Sequence, residues 1–250
     1  MKNFLILFIC ILPSFVQAET LKIAIGEYPP YSEKPPSGTS YVPSIIKAAF
    51  KTQGYDVKFE YLPWGRNFLE AQKGRYDATA FWFCNETRSA DFLCSDAIYY
   101  ETTYMFYNRE RPIPEWRSFK DLAGKVVGVT RGYSYIPELF QEEKRYSYTI
   151  DAVATDKQNL ERLIKGHIDA FPMSLIPATY LLETAFTKEQ RDTLSYRKKP
   201  LLTESTHVLF LKAKPKSTLL RIKFNKGLKT IRRNGVFDKI MADFKHNKAN

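Results

Sequence analysis

Twice along this chain, short runs of alternating apolar residues give way to stretches whose apolar residues recur at helical spacing. Strand side chains alternate with period 2 and helical ones recur near 3.6, so neither pattern satisfies the other structure. Strands and helices taking turns in this way imply a parallel sheet with right-handed crossovers, which places the chain in the α/β class.

In the first unit, Leu21, Ile23 and Ile25 alternate up to Gly26, and Ile45, Ile46, Ala49 and Phe50 keep helical spacing up to Gly54. Residues 57–61 alternate again. Residues 64–73 carry Phe68, Leu69 and Ala71 at helical spacing before Gly74, and 76–83 return to strand. A second unit, over about 110–206, opens with a short helical turn ended by Gly124 and a strand over 125–129. A helix over 133–144, a strand over 149–153 and a helix capped by Asp156 and stopped at Gly166 follow. Asp169, Ala170 and Phe171 begin a further strand, and Ser174 can cap a helix through Leu181. The chain ends with a strand over 207–211 and helices over 218–233 and 236–245. Ligands in open α/β sheets bind beyond the carboxyl ends of the strands. Two such units facing one another put the site in the cleft between them.

The N-terminus speaks to the compartment. Lys2, an apolar run over 4–12 and Val16-Gln17-Ala18 form a cleavable leader over residues 1–18. That run is too short to span a bilayer core of about 30 Å. Losing Lys2, the only charge before Glu19, lowers the formal net charge of +11 by one. The basic residues are scattered and not interleaved with aromatics, so nucleic acid is not the expected partner. Cys84 and Cys94 remain after processing and can pair in an oxidising compartment. Such a bridge contributes about 2–3 kcal/mol by loop closure. His167, His207 and His246 show no ligand spacing, so neither a metal nor a cofactor is expected.

Several segments carry a resemblance. They are Tyr28-Pro29-Pro30-Tyr31, Lys73-Gly74-Arg75-Tyr76-Asp77-Ala78, and Thr87-Arg88 with Phe92-Leu93-Cys94-Ser95-Asp96 downstream. Residues 122–129, 163–170 and 233–240 complete the set. In this order they resemble the bacterial extracellular solute-binding proteins of family 3, the polar amino-acid uptake type. The resemblance implies a two-lobed periplasmic-binding-protein fold of type II, with a ligand cleft between lobes and two crossover strands. Lobe 1 would comprise 19–107 and 207–250, and lobe 2, inserted, 108–206, with the crossovers near 104–110 and 206–211. It further implies a monomer in the periplasm that captures a small carboxylate-bearing, amino-acid-like ligand and presents it to an ABC-type permease or a receptor. It is not an enzyme on this reading. The alternatives are a dehydratase or lyase on the same fold, and a ligand sensor that does not transport.

By that resemblance Arg88 grips the ligand carboxylate, which suits a guanidinium able to donate two parallel hydrogen bonds. Tyr133 and Ser134, after the strand ending at Val129, offer backbone N–H groups at a helix start, with Arg131 as an added charge. Tyr28, Trp64 and Trp82 are ring walls, whereas strand alternation turns one of the Phe81 and Phe83 faces into the core. The acid that pairs with the ligand's α-ammonium in relatives falls at Ser174, a hydroxyl. Glu27, Glu101 and His207 are the candidates for a general acid or base on the lyase alternative.

Overall fold

The computed structural model describes residues 18–35 and 40–246. The leader expected over 1–18 therefore lies outside the described residues, apart from Ala18. The first unit forms as the periodicity dictates, with β1 (Glu19–Ile25), α1 (Tyr41–Lys51), β2 (Tyr55–Tyr61), α2 (Trp64–Gln72) and β3 (Ala78–Phe83). β1 pairs in parallel with both β2 and β3. Ile45, Ile46, Ala49 and Phe50 of α1 are buried, and the chain turns at Gly54 with φ +82°.

Next come α3 (Glu86–Asp91), β4 (Phe92–Cys94) and β5 (Tyr99–Asn108), then a 3₁₀ turn (Phe119–Leu122) and β6 (Val126–Thr130). The single helix expected over 133–144 is instead two short ones, α4 (Glu138–Gln141) and α5 (Glu143–Tyr146). Pro137 accounts for the late start, because a residue before proline is disfavoured in the α region and Ile136 holds that place. β7 (Thr149–Val153), α6 (Asp156–Ile164), β8 (Phe171–Ser174) and α7 (Leu175–Ala185) follow. α8 (Lys188–Asp192) and β9 (Leu194–Tyr196) were not expected. The chain then runs through β10 (Leu202–Leu211), α9 (Ser217–Arg233) and α10 (Val236–His246). Among the described residues no helix is long and apolar enough to cross a membrane.

β5 and β10 are the two crossover strands, and they lie earlier in each segment than expected. Residues 99–103 of β5 pair antiparallel with 202–206 of β10. Beyond this shared ladder the partners diverge. β5 goes on to β8 and β9, while β10 goes on to β3 and β4. The sheet order is β2-β1-β3-β10-β5-β8, and β6 with β7 forms a separate parallel pair. That pair is tied to the segment entering β8 by Gly128 N–H donating to the Ala170 carbonyl at 2.8 Å.

The buried apolar residues divide accordingly. One cluster joins Ile23, Ile25, Ile46, Phe50 and Phe81 to Val208, Phe224 and Leu228, so the C-terminal helices pack on the N-terminal sheet. A smaller cluster around Trp82, Phe92 and Leu209 covers that sheet's other face. Two further clusters take opposite faces of the sheet where β5 pairs with β8, Met105 on one and its neighbour Phe106 on the other, as strand alternation requires. The four clusters thus form two groups, one around β1, β3 and β10 and one around β5, β6 and β8.

α1 and α9 meet at Gly227, where an added Cβ would stand 2.1 Å from the Ala49 carbonyl oxygen. Backbone cannot yield as a side-chain tip does. Gly227→Ala is therefore expected to cost about 1–3 kcal/mol by forcing the helices apart. Thermal unfolding should show a fall of several degrees, and an unchanged midpoint would mean the helices part freely.

Candidate functional site

The carboxyl ends of β1, β3, β6, β7 and β8 converge with the middle of β5 on one cavity of about 70 Å³. Each end is shaped by a local feature. After β1, Gly26 leaves room for the Trp64 indole: an added Cβ would lie 2.2 Å from Trp64 Cε2. Trp64 Nε1 donates to the Glu27 carbonyl at 3.1 Å, fixing the ring over this turn. After β6, Gly132 has φ +82°, and an added Cβ there would come within 3.2 Å of the Gly65 backbone nitrogen. At this point the two halves meet glycine to glycine, with no side chain between them.

Alternation does not govern the end of β3. Phe81 has φ +68°, and the pairing with β10 shifts register between His207 and Val208. A bulge of this kind adds a residue and re-aims its neighbours. Phe81, Trp82 and Phe83 consequently all line the cavity, whereas simple alternation would have turned them to opposite faces. A non-glycine residue at positive φ costs roughly 1–3 kcal/mol and tends to persist where the surroundings hold it. Here Phe81 packs on Tyr31 with ring centroids 5.1 Å apart.

Rings make the walls. Trp64 meets Trp82 edge-on at 4.9 Å, and Tyr133 meets Tyr28 edge-on at 5.4 Å from the facing half. Ser134 and Ser174 also line the cavity, as do Tyr28, Trp64, Trp82 and Tyr133. Arg88 does not line it directly. Its Nη1 donates to the Phe83 carbonyl at 3.0 Å, and its Nη2 donates across the cleft to Ser134 Oγ. The guanidinium lies over the Trp82 ring at 4.7 Å. Burial pulls the Arg88 pKa down to about 10, which leaves it charged at neutral pH. Among the described residues it has no acidic partner, and Asp91 instead accepts from Gln72 at 3.0 Å.

Two expectations are corrected. Arg131 is exposed and donates to the Ala152 carbonyl from Nη2 at 3.0 Å, so its charge points away from the cavity. The helix expected to open at Tyr133 begins only at Glu138 and has four residues, so no helix dipole faces the cavity from this turn.

Two carboxyls line the cavity, one expected near the cleft only on the lyase alternative, the other expected only as a helix cap. Glu101, on β5, is 5% exposed, and Asp156 is 8% exposed. The Ser174 hydroxyl is hydrogen-bonded to the Glu101 carboxyl and to the Tyr28 hydroxyl. Burial pushes Glu101 up to about 8, opposed by the Ser174 bond. Asp156 does not cap α6. Thr155 does so, with Gln158 closing the capping box, which frees the Asp156 carboxyl to accept from Thr130 and Tyr133. Burial raises Asp156 to about 6. Glu101 has the parity of buried Met105 along an extended run, and that was its signal in the sequence. Asp156 had none, since an acid at a helix start is ordinarily a cap. Among the described residues no group of three or more His, Cys, Asp and Glu can hold a metal.

Cys84 and Cys94 are joined by a disulfide with Cα atoms 6.2 Å apart. It ties the segment after β3 to β4 and encloses α3, which carries Arg88. A loop of this length constrains the unfolded chain by about 3 kcal/mol. The Cys84→Ser, Cys94→Ser double variant should therefore melt on the order of 10 °C lower. An unchanged melting point would show that the link does not constrain the unfolded chain.

The family model of the bacterial extracellular solute-binding proteins, family 3, matches residues 21–247. Compared with curated proteins, the sequence has no match. Among solved structures, a histidine kinase sensor domain similar to periplasmic binding proteins superposes with a TM-score of 0.77 at 19% identity, over 91% of this chain and 96% of that one. An ancestral arginine-binding protein bound to arginine gives 0.76 at 20% identity, over 91% and 99%. An amino-acid ABC transporter substrate-binding protein of Streptococcus pneumoniae bound to L-arginine gives 0.72 at 19% identity, over 90% and 94%. At such identities the likeness is one of fold.

Proposed function

The chain belongs to the bacterial extracellular solute-binding proteins of family 3, and on that premise we propose that it captures a small, amino-acid-like ligand bearing a carboxylate for an ABC-type uptake system. It does so as a monomer in the periplasm after export. We assign lobe 1 to 19–107 and 207–250 and lobe 2 to 108–206, hinged where β5 and β10 cross. The observation that carries this reading is Arg88. It is a charged, half-buried guanidinium without an acidic partner among the described residues, held against Trp82 and reaching the Ser134 hydroxyl on the facing half. A ligand carboxylate arriving there would be gripped from lobe 1 by Arg88 and from lobe 2 by Ser134. Tyr28, Trp64, Trp82 and Tyr133 would enclose the remainder.

Binding to both halves favours the closed form over the open one, which is how a ligand shifts such an equilibrium. The contacts already made across the cleft fit a closed form. Arg88 reaches Ser134, Tyr28 packs on Tyr133, and the Tyr180 hydroxyl of α7 is hydrogen-bonded to Glu33 of the loop after β1.

The test is thermal unfolding against amino acids, amines, dicarboxylates and small peptides. A ligand at about a thousand times its Kd adds about 4 kcal/mol, a rise on the order of 10 °C here. If no carboxylate-bearing compound moves the transition, the reading fails. A receptor role rests on the same ligand contacts and on the likeness to a kinase sensor domain. Which membrane protein co-purifies with the ligand-bound form separates the two. A lyase reading draws on Glu101, since a protonated carboxyl in a dry cleft can protonate a leaving hydroxyl. Proton NMR of the bound compound recovered unaltered would exclude it.

A further inference from the structure

Counted against the acids, the basic residues are not evenly spread. From Glu19 to Thr206 the Lys and Arg equal the Asp and Glu in number, whereas residues 207–250 hold twelve Lys and Arg against Asp238 and Asp243 alone. All of the net charge that remains without the leader therefore sits in the C-terminal segment. Between Glu204 and Asp238 there is no acid. Charge gathered in one part of a chain in this way points to an anionic partner.

α9 runs through this stretch, and its packing decides where the charge goes. Leu220, Phe224, Gly227, Leu228 and Ile231 are buried, and Gly227 lies against the Ala49 carbonyl of α1, which fixes how the helix is turned about its axis. Residues three and four apart share a helix face. Leu219, Ile222, Lys226, Lys229 and Arg233 consequently form one outward stripe, all of them exposed, about 21 Å long. Leu219 and Ile222, a turn apart, are 48% and 53% exposed. Lys214 and Lys216, just before the helix, pair with Asp77 and Glu19. Lys226, Lys229 and Arg233 are in no ion pair among the described residues. The stripe is separate from the cavity, which none of its residues lines.

We propose that this face of α9 docks the protein on an anionic phospholipid surface. Each Lys or Arg near such a surface raises the partition about fivefold, and three in line act together. Leucine and isoleucine beside them fit the boundary between headgroups and acyl chains, where aliphatic side chains leave water. Aliphatic side chains gain nothing from the phosphates of a nucleic acid, and the stripe presents no ring on which a base could stack. A straight helix packed on its own domain meets a plane along its whole length. The contact is peripheral and reversible, since three charges and two side chains fall short of an anchor. It holds the half that carries β1 and β3, and leaves the half that carries β6 and β7 free for the closure proposed above.

The experiment is co-sedimentation of the purified protein with vesicles of phosphatidylcholine alone, or mixed with phosphatidylglycerol, at low and high salt. Binding is expected only to the anionic vesicles, and it should be lost near about 1 M salt, where screening shortens to about 3 Å. Lys226→Gln, Lys229→Gln and Arg233→Gln together should lower the partition on the order of a hundredfold. Removing the same charge elsewhere, by Lys120→Gln, Lys144→Gln and Lys198→Gln at three exposed positions, should leave it within about threefold of wild type. Leu219→Ser with Ile222→Ser should lower it about tenfold, the share that aliphatic contact supplies. Every changed side chain is exposed, so all three variants should melt as the wild type does. No binding to anionic vesicles would overturn the proposal. So would an equal loss in the two lysine and arginine variants, which would make the attraction one of net charge. Undiminished partition in the Leu219, Ile222 variant would show a polyanion contact without insertion and overturn the lipid assignment. Tighter retention on duplex DNA than on anionic vesicles would give the face to nucleic acid and overturn it as well.

Discussion

Replacing Arg88 with alanine is expected to leave the fold standing and weaken binding of a carboxylate ligand by about thirtyfold to a few thousandfold. The range follows from the 2–5 kcal/mol typically lost when one partner of a buried, hydrogen-bonded charge pair is truncated, at about 1.4 kcal/mol per tenfold. Most of that loss is the cost of leaving the ligand's carboxylate in the cleft without a counter-charge. The fold should survive because Arg88 contributes few packing contacts that the apolar core depends on. Its guanidinium rests on Trp82 and Phe68 at 4.7 and 5.6 Å, a pair of contacts worth about 0.5–2 kcal/mol in total at a partly buried site. Arg88→Lys is the sharper comparison. It keeps the charge but loses the fork that donates to Phe83 and Ser134 together, so it should recover only part of the affinity. Isothermal titration with whichever compound raises the melting temperature gives the answer, and unchanged affinity in Arg88→Ala would remove this residue from the site.

Trp82→Ala should be the more damaging substitution for stability, at about 3–5 kcal/mol. The ring is 4% exposed and is packed by Trp64 at 4.9 Å and Phe68 at 5.4 Å. Its Nε1 donates to Thr79 Oγ1 at 2.7 Å, and Thr79 in turn donates to Asn67 Oδ1 at 2.6 Å. Truncation opens a void in the small cluster beneath α2, removes one of the two partners of the buried Thr79 hydroxyl, and takes away the surface on which Arg88 lies. Stability and binding should fall together, with the melting point lowered by on the order of 10 °C. Trp82→Phe fills most of the volume but cannot donate to Thr79, so it should cost less than half as much. If Trp82→Ala melts within a degree of wild type, the neighbouring rings close over the gap and the wall is more adaptable than its packing implies.

Much of the frame was legible in the sequence because period and punctuation are local properties. The spacing of Ile45, Ile46, Ala49 and Phe50 and the stop at Gly54 specify α1 whatever it packs against. The matched segments from Tyr28 to Ile240 pointed to the fold with its two crossover strands. β5 itself was not read as a strand along its length. In Tyr99–Asn108, aromatic, threonine and acidic residues follow one another without a polar–apolar rhythm, since parts of both faces serve the cleft and the two cores. The helix expected from Tyr133 failed on a local rule that was available, the constraint that Pro137 places on Ile136.

The site divides along the same line. Tyr28, Trp64, Trp82, Tyr133, Ser134 and Ser174 were named from the sequence, and the fold brings all six to one cavity. Arg88 stands behind its wall and Arg131 turns away. What sequence alone determined was the alternation of strands and helices within each repeating unit, because backbone dihedrals and apolar periodicity are set within a few residues. Only the tertiary structure decided which polar groups share the cavity. Phe81, Trp82 and Phe83 all face it because the β3–β10 register slips by one residue. Asp156 is free to enter it because Thr155 takes the cap, and Glu101 is left with an unpaired oxygen because Ser174 satisfies only the other. Each of these outcomes turns on a competition between hydrogen-bond partners, several of them supplied by residues far apart in the chain, and such competitions are resolved only once the chain is folded.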